Sequence, residues 1–567
     1  MGSIAVLFRK FRSARRGSAE VNSFGRVFTL VLLAAVVLGG SSFRQHPGKS
    51  PVTAIANVSA EDLLAQPVGA NWTSYNGDYT GRRYSRLHEI NLENVGQLRA
   101  AWVFHPGNSE RLEVTPVVVN GVMYVTSAND AFALDARTGR VVWHHRRPVS
   151  SGLLDDAAGH HSRGVGLWRN FVYMETDDAH LLCLDARSGT LLWDVEYADK
   201  TKHYGATSAP LVVKNEVIVG TSGGDSGVRG FLAAYDALTG KLKWRFWTIP
   251  APGEFGSQSW PGDSYLHGGA TTWMPGTYDP KLNTLYWTTS NAAPDFAGES
   301  RPGDGLYTAC VLALNPDTGE LKWYFQFTPH DLYDYDANET PVLADFEEGG
   351  VIRHLLVQAN RNGFLYVLDR TNGKFLKATP FVQKLNWATT VDPSGRPLLS
   401  GRIPTAQGTY ICPGINGATN WFSPSYNADT GLFYVIALES CNVYFTNPKP
   451  FTPGETYYAT GTKLHRDEFA QKTLLAYSVP DGKVVWRYPQ IGQADSWGGT
   501  LTTAGGLVFF GDDAGSLEAV DARTGGPLWH FNTGQTMHAS PMTYMIDGVQ
   551  YVGVAAGSNV FSFTLPH

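Results

Sequence analysis

The stretch Ala133-Leu-Asp-Ala-Arg-Thr-Gly-Arg-Val-Val-Trp143 decides the fold, because it recurs along the chain. Cys183-Leu-Asp-Ala-Arg-Ser-Gly-Thr-Leu-Leu-Trp193 and Ala234-Tyr-Asp-Ala-Leu-Thr-Gly-Lys-Leu-Lys-Trp244 repeat it closely. Ala313 to Trp323, Ala476 to Trp486 and Ala519 to Trp529 keep the same frame. A degenerate copy runs from Val367 to Leu376, and Asn427-Ala-Asp-Thr-Gly431 adds a further turn of the type. Each copy reads as a strand, a tight D-x-x-T-G turn whose Gly takes φ > 0, and a second strand carrying Trp. Successive copies start 50, 51, 79, 54, 109 and 43 residues apart, and the widest gap holds two periods. A four-stranded unit of roughly 50 residues, repeated about eight times, predicts an all-β chain folded as an eight-bladed β-propeller. The recurrent Trp is expected to dock each blade on its neighbour.

Working outward, Ala101-Trp-Val-Phe104 and the segment from Tyr551 to Phe563 read as strands completing one shared blade. The ring is then expected over residues 70–567, behind a leader at 46–69, with the extra residues of the wide gaps in loops on its faces. Residues 1–45 read as a targeting segment. Arg9, Lys10, Arg12, Arg15, Arg16 and Arg26 precede an apolar run from Val27 to Leu38, and small residues follow. A run this short favours a cleaved secretory signal, with an uncleaved N-terminal anchor as the alternative. The body is therefore expected outside the cytoplasm, in the periplasm, or tethered at the membrane.

Composition excludes several classes. The 567 residues include 61 Gly, with 12% aromatic and only 17% charged, which suits one large β body. A net charge of −6 offers no footprint for nucleic acid. The four cysteines, Cys183, Cys310, Cys412 and Cys441, form no CxxC pair, which removes zinc-ribbon and c-type haem attachment readings.

The D-x-x-T-G-x-x-x-W repeat resembles the tryptophan-docking motif of the pyrroloquinoline quinone (PQQ)-dependent alcohol dehydrogenases, from about Asn71 to the C-terminus. Further motifs sharpen the resemblance. Thr328-Pro-His-Asp-Leu-Tyr-Asp-Tyr-Asp336 resembles the active-site loop whose first Asp of D-Y-D, here Asp334, is the catalytic base; His330 and Asp331 are read as structural. Thr221-Ser-Gly-Gly-Asp-Ser-Gly-Val-Arg-Gly230 is similar to a metal-binding loop, placing Asp225 where a glutamate is usual. Ser290-Asn-Ala-Ala-Pro294 implies a metal contact from Asn291. Gly268-Gly-Ala-Thr-Thr-Trp273 implies a cofactor-contacting Thr271 and a stacking floor at Trp273, a large flat π-face suited to a planar quinone. Leu356-Val-Gln-Ala-Asn-Arg-Asn-Gly-Phe364 implies that Arg361 reaches the quinone oxygens. By the same resemblance Glu113, Arg163, Thr207, Ser222, Gly223 and Gly224 contact the cofactor, and Asn420, Trp421 and Trp497 line the other side of the pocket.

The sequence also departs from the family. Adjacent cysteines common before the Arg163 motif are replaced by Ala157-Ala158, so no vicinal disulfide can form, whereas Cys412 and Cys441 match a conventional disulfide. Asp336 stands where lanthanide-dependent members carry a second Asp. With Asp225 and Asp334 it implies three carboxylates around one cation, which favours a trivalent lanthanide, with calcium as the alternative. The implied reaction is metal-assisted oxidation of a small alcohol, with electrons passed to an external acceptor such as cytochrome c. The alternatives are a PQQ-dependent sugar or polyol dehydrogenase, and a non-catalytic scaffold propeller that makes no use of Asp334 or Arg361.

Overall fold

The computed structural model describes residues 57–107, 111–465, 469–493 and 495–566. The targeting segment and the first part of the leader lie outside the described residues. Among the described residues the chain is nearly all strand, with two short α-helices, Ala60–Leu64 and Asp155–Ala158. Ser59 caps the first through a reciprocal pair of hydrogen bonds with Asp62.

The strands assemble into eight sheets of four or five strands and two smaller ones, counted among the described residues. Five of the larger sheets are antiparallel meanders in chain order, such as Val117–Val119, Val122–Ser127, Asp130–Asp135 and Val141–His145, and a sixth adds Tyr84–Ser85 parallel to the first strand of such a meander, Thr500–Thr503. A seventh, Ser425–Asn427, Leu432–Glu439, Gln471–Ser478 and Lys483–Pro489, has the same order with an insertion between its second and third strands. The eighth joins both ends of the described chain: Arg99–Phe104 pairs antiparallel with Asn559–Thr564, Trp102 opposite Ser562. That pairing matches the shared sheet expected from the sequence. The 109-residue gap holds the small sheets, Ala388–Val391 with Pro397–Leu399, and Thr409–Ile411 with Asn442–Thr446 and Thr460–Leu464.

The repeated phrase forms the third strand, the turn and the fourth strand of a sheet. Inner strands such as Leu211–Val213 and Thr284–Thr288 are buried on both faces, while outer strands such as Leu191–Glu196 alternate. The Trp of each outer strand reaches the turn of the next sheet. Trp143 donates to Ala186 O at 2.9 Å and lies against Gly189. Trp102, Trp193, Trp244, Trp323 and Trp486 lie in the same way against Gly139, Gly240, Gly319, Gly373 and Gly525. Trp529 donates to Leu98 O at 3.1 Å, which links the last complete repeat to the first strands. In the degenerate copy Lys377 stands in the register of the Trp, opposite Val367, and donates from Nζ to Asp481 O at 2.9 Å.

Gly189 shows why the turn demands glycine. Its φ is +70°, and a Cβ there would stand 2.6 Å from Trp143 Cε3. Gly189→Ala therefore carries both a left-handed backbone penalty and a clash with an indole, and is expected to destabilise the protein by about 1–3 kcal/mol. Denaturant unfolding checks this; an unchanged midpoint would show that the indole contact carries no stability.

Candidate active site

In a four-stranded antiparallel meander, the loop entering the first strand and the loop joining the second to the third emerge at one end of the sheet. The D-x-x-T-G turns, joining third to fourth, emerge at the same end as the loops joining first to second, opposite to that set. Every site residue expected from the sequence sits in the first set. Glu113, Arg163, Thr207, Trp273, Asp334, Trp421 and Trp497 precede first strands, and Asp225, Asn291 and Arg361 lie between second and third strands. The alternation of the chain thus delivers loops from many sheets to one place.

These loops enclose a cavity of about 310 Å³. Of the expected residues, Arg163, Thr207, Ser222, Gly223, Gly224, Asp225, Thr271, Trp273, Asn291, Asp334, Asp336 and Arg361 line it. Glu113 stands behind the lining, with Arg163 Nη2 at 2.6 Å and Arg111 Nη2 at 3.0 Å from its carboxylate. Trp421 and Trp497 also lie outside the lining, their rings near-parallel with centroids 6.2 Å apart. The Arg163 guanidinium lies between Trp421 and Trp273, 4.6 and 5.0 Å from the two ring centroids. Asn420 accepts from Trp421 N and donates to Asn416 O, each at 2.9 Å. Its bonds shape the loop bearing Trp421.

The acidic centre is held tightly. Asp334 adopts φ +61°, an uncommon backbone state for a residue other than glycine. The loop is fixed by Asp331, whose two carboxylate oxygens accept Tyr333 N and Tyr335 N at 2.9 Å, consistent with a structural role. Arg361 Nη2 lies 3.2 Å from Asp334 Oδ2, Arg361 Nη1 lies 2.5 Å from Asp336 Oδ2, and Arg361 Nη2 also donates to Ile415 O at 2.6 Å. Asp336 Oδ1 accepts Asn291 N at 2.7 Å, and Asn291 Nδ2 donates to Asp225 Oδ1 at 3.2 Å. Burial pushes the Asp334 carboxyl well above the usual range; Arg361 pulls it back, and Asp336 and Asp225 push it further.

Three carboxylates, Asp225, Asp295 and Asp334, bring one oxygen each within 4.8 Å of one another. Asp295 is absent from the sequence-derived set although it directly follows Ser290-Asn-Ala-Ala-Pro294; the acid next to an expected ligand was its only signal. Burial, then Asp225 and Asp334, drives its carboxyl well upward.

Arg111 and His161 on the cavity wall were also missed. Arg111 Nη2 meets His161 Nε2 at 2.6 Å, and burial lowers the His161 imidazole to about 4, so this ring is neutral at neutral pH. Ala158 and Gly159 line the wall beside it, where the sequence lacks the adjacent cysteines. The expected disulfide between Cys412 and Cys441 is formed, with Cα atoms 4.4 Å apart. It anchors the insertion whose Ile415 carbonyl holds Arg361.

Residues 72–384 and 487–552 match the PQQ family described as glucose/ethanol/alcohol dehydrogenase, β-propeller domain. The chain is 37% identical over 561 residues to the quinoprotein alcohol dehydrogenase PedH of Pseudomonas putida, covering 93% of this chain and 91% of that one. It is 34% identical to a lanthanide-dependent methanol dehydrogenase of Methylorubrum extorquens, covering 89% of each. Among solved structures, the quinohemoprotein alcohol dehydrogenase of Comamonas testosteroni superposes with a TM-score of 0.84 at 34% identity, covering 89% of this chain and 82% of that one. The chain therefore belongs to the PQQ-dependent alcohol dehydrogenase family, a group of oxidoreductases with a β-propeller domain. Relatives within the family are named as lanthanide-dependent.

One neighbouring group reports on the wall by its titration. Glu175 is buried, which pushes its carboxyl up to about 8, while the Tyr197 hydroxyl donating at 3.0 Å and Arg163 pull it down. The folded protein thus keeps a proton that the unfolded chain releases above its usual 4.5, so this group's contribution falls as pH rises from about 4.5 to 8. Glu175→Gln is expected to gain stability relative to the unsubstituted protein between pH 5 and pH 8. Urea unfolding at the two pH values measures it, and a pH-independent difference would contradict the burial argument.

Proposed function

We propose that this protein oxidises a small alcohol with PQQ, using Asp334 as the general base beside a cation held by Asp225, Asn291, Asp334 and Asp336. The observation that carries this reading is the convergence of Asp334, Arg361, Trp273 and the clustered carboxylates on one cavity. We read the eight larger sheets as blades of one closed ring, tied by the indole contacts between neighbours.

The donor chemistry fits the cofactor and ion. Trp273 offers an aromatic face, Arg163 and Arg361 offer guanidinium groups for anionic oxygens, and Thr271 and Ser222 offer hydroxyls. Carboxylate and amide oxygens are hard ligands suited to calcium or a lanthanide, and the density of negative charge favours the trivalent ion. The relationship to a lanthanide-dependent methanol dehydrogenase supports the same choice. Two-electron oxidation is the chemistry that PQQ supplies when bound, with the cation acting as a Lewis acid beside it.

The rest is the work of this chain. An alcohol hydroxyl placed against Asp334 gives its proton to that carboxylate. Arg361, in contact with both Asp334 and Asp336, favours their ionised forms against burial. The electrons leave to an external acceptor of the cytochrome c type. The Arg-rich leader with its short apolar run and the Cys412–Cys441 disulfide support an exported, periplasmic location. Among the described residues no helix is long and apolar enough to cross a membrane.

Asp334→Asn keeps the side-chain shape but removes the proton acceptor, so kcat in a dye-linked alcohol assay should fall about 10²–10⁴-fold with PQQ retained. Activity within a few-fold of the unsubstituted protein would remove Asp334 as the base. Trp273→Ala and Arg361→Ala should each weaken PQQ retention, read from the cofactor absorbance after gel filtration; undiminished retention in both would refute their roles. Metal-free protein reconstituted with PQQ should be more active with lanthanum than with calcium, and the reverse order would reject the lanthanide choice.

A further inference from the structure

The segment after Asn291 carries a carboxylate that the sequence motifs leave unassigned. Asp295 is 1% exposed, and its carboxylate lies within 4.8 Å of those of Asp225 and Asp334. Its Oδ1 is buried and has no hydrogen-bond partner. Arg301, on the same segment, donates to the carbonyl oxygens of Pro294 at 2.9 Å and Asp331 at 2.5 Å. Among the described residues no ion pair neutralises the Asp295 side chain. A buried ionised carboxylate without a partner costs several kcal/mol, so a group so placed implies a cation that meets it.

The spacing suits that role. Hard cations of the calcium and lanthanide size bind oxygen at about 2.3–2.6 Å, so ligand oxygens across one ion stand no more than about 5 Å apart. The Asp225, Asp295 and Asp334 oxygens meet this limit pairwise. Charge points the same way. When ionised, Asp225, Asp295, Asp334 and Asp336 bring four negative charges against the guanidinium groups of Arg361 and Arg301, and each further carboxylate shifts the balance toward a trivalent ion.

We propose that Asp295 is a direct ligand of the cation, a carboxylate additional to the expected set, and that it matches this site to a trivalent ion. The proposal rests on the PQQ-and-metal reading above. It assigns Asp295 two opposite effects: a buried acid that is costly to ionise when no ion is bound, and a ligand when one is.

The test uses full-length protein with PQQ, freed of metal, and its variants Asp295→Asn and Asp295→Ala. Terbium(III) is titrated with luminescence excited through the protein's indoles, and calcium is measured by competition. Asp295→Asn should weaken terbium binding at least tenfold and calcium binding by a smaller factor. Without metal, both variants should melt at a higher temperature than the unsubstituted protein, and lanthanum should raise their melting temperatures less. Terbium affinity within twofold of the unsubstituted protein, or a lower metal-free melting temperature in both variants, overturns the assignment. If the unsubstituted protein takes up neither PQQ nor terbium, the functional reading falls and Asp295 with it. If it takes up both and Asp295→Asn binds equally well, only the ligand assignment falls.

Discussion

An indole lying on a glycine that has no room for a Cβ is the contact on which the rest of the structure depends. Six such pairs among the described residues join the outer strand of one sheet to a turn of the next, from Trp102 on Gly139 to Trp486 on Gly525. Each buries a large aromatic surface and fixes it through an indole N–H or a close backbone approach. The sheets are individually small, and several inner strands are only three residues long, so they gain their cores from neighbours. Hydrophobic side chains of one sheet accordingly cluster with those of the next, as Val172, Leu184, Val212 and Ala234 do.

The same meander keeps stability and chemistry at opposite ends. The repeated turns that hold the indoles lie at one end, and loops that are free to differ between sheets lie at the other. Strong sequence repetition and a unique site therefore coexist in one chain. Loop residues can be exchanged for chemistry with little effect on the Trp–Gly contacts.

The site stores unfavourable electrostatics. Asp225, Asp295, Asp334 and Asp336 converge, and burial raises the last three above the usual carboxylate range. Arg361 is the principal compensation, held by Asp336, Asp334 and the Ile415 carbonyl. The Cys412–Cys441 bridge, distant in sequence from the Asp334 loop, contributes by anchoring the segment that bears Ile415. Arg163, also on the cavity wall, plays the matching part between two indoles and against Glu113.

The sequence by itself determined the all-β class, the period of the sheets, the joining of Arg99–Phe104 with Asn559–Thr564, and most of the residues that line the cavity. It could do so because the Trp–Gly turn leaves a local signature, and because residues such as Asp334, Trp273 and Arg361 sit in short motifs with fixed spacing. Only the tertiary structure decided which charges meet. Asp336 engages Arg361 and the Asn291 amide across separate loops, Lys377 substitutes for a missing Trp, and Arg111 faces His161 from 50 residues away. Asp295 belongs to the same group: an acidic residue after a proline is unremarkable in one dimension. Its meaning comes from burial and from two carboxylates delivered by other sheets, and those are properties of distance in space that residue order does not encode locally.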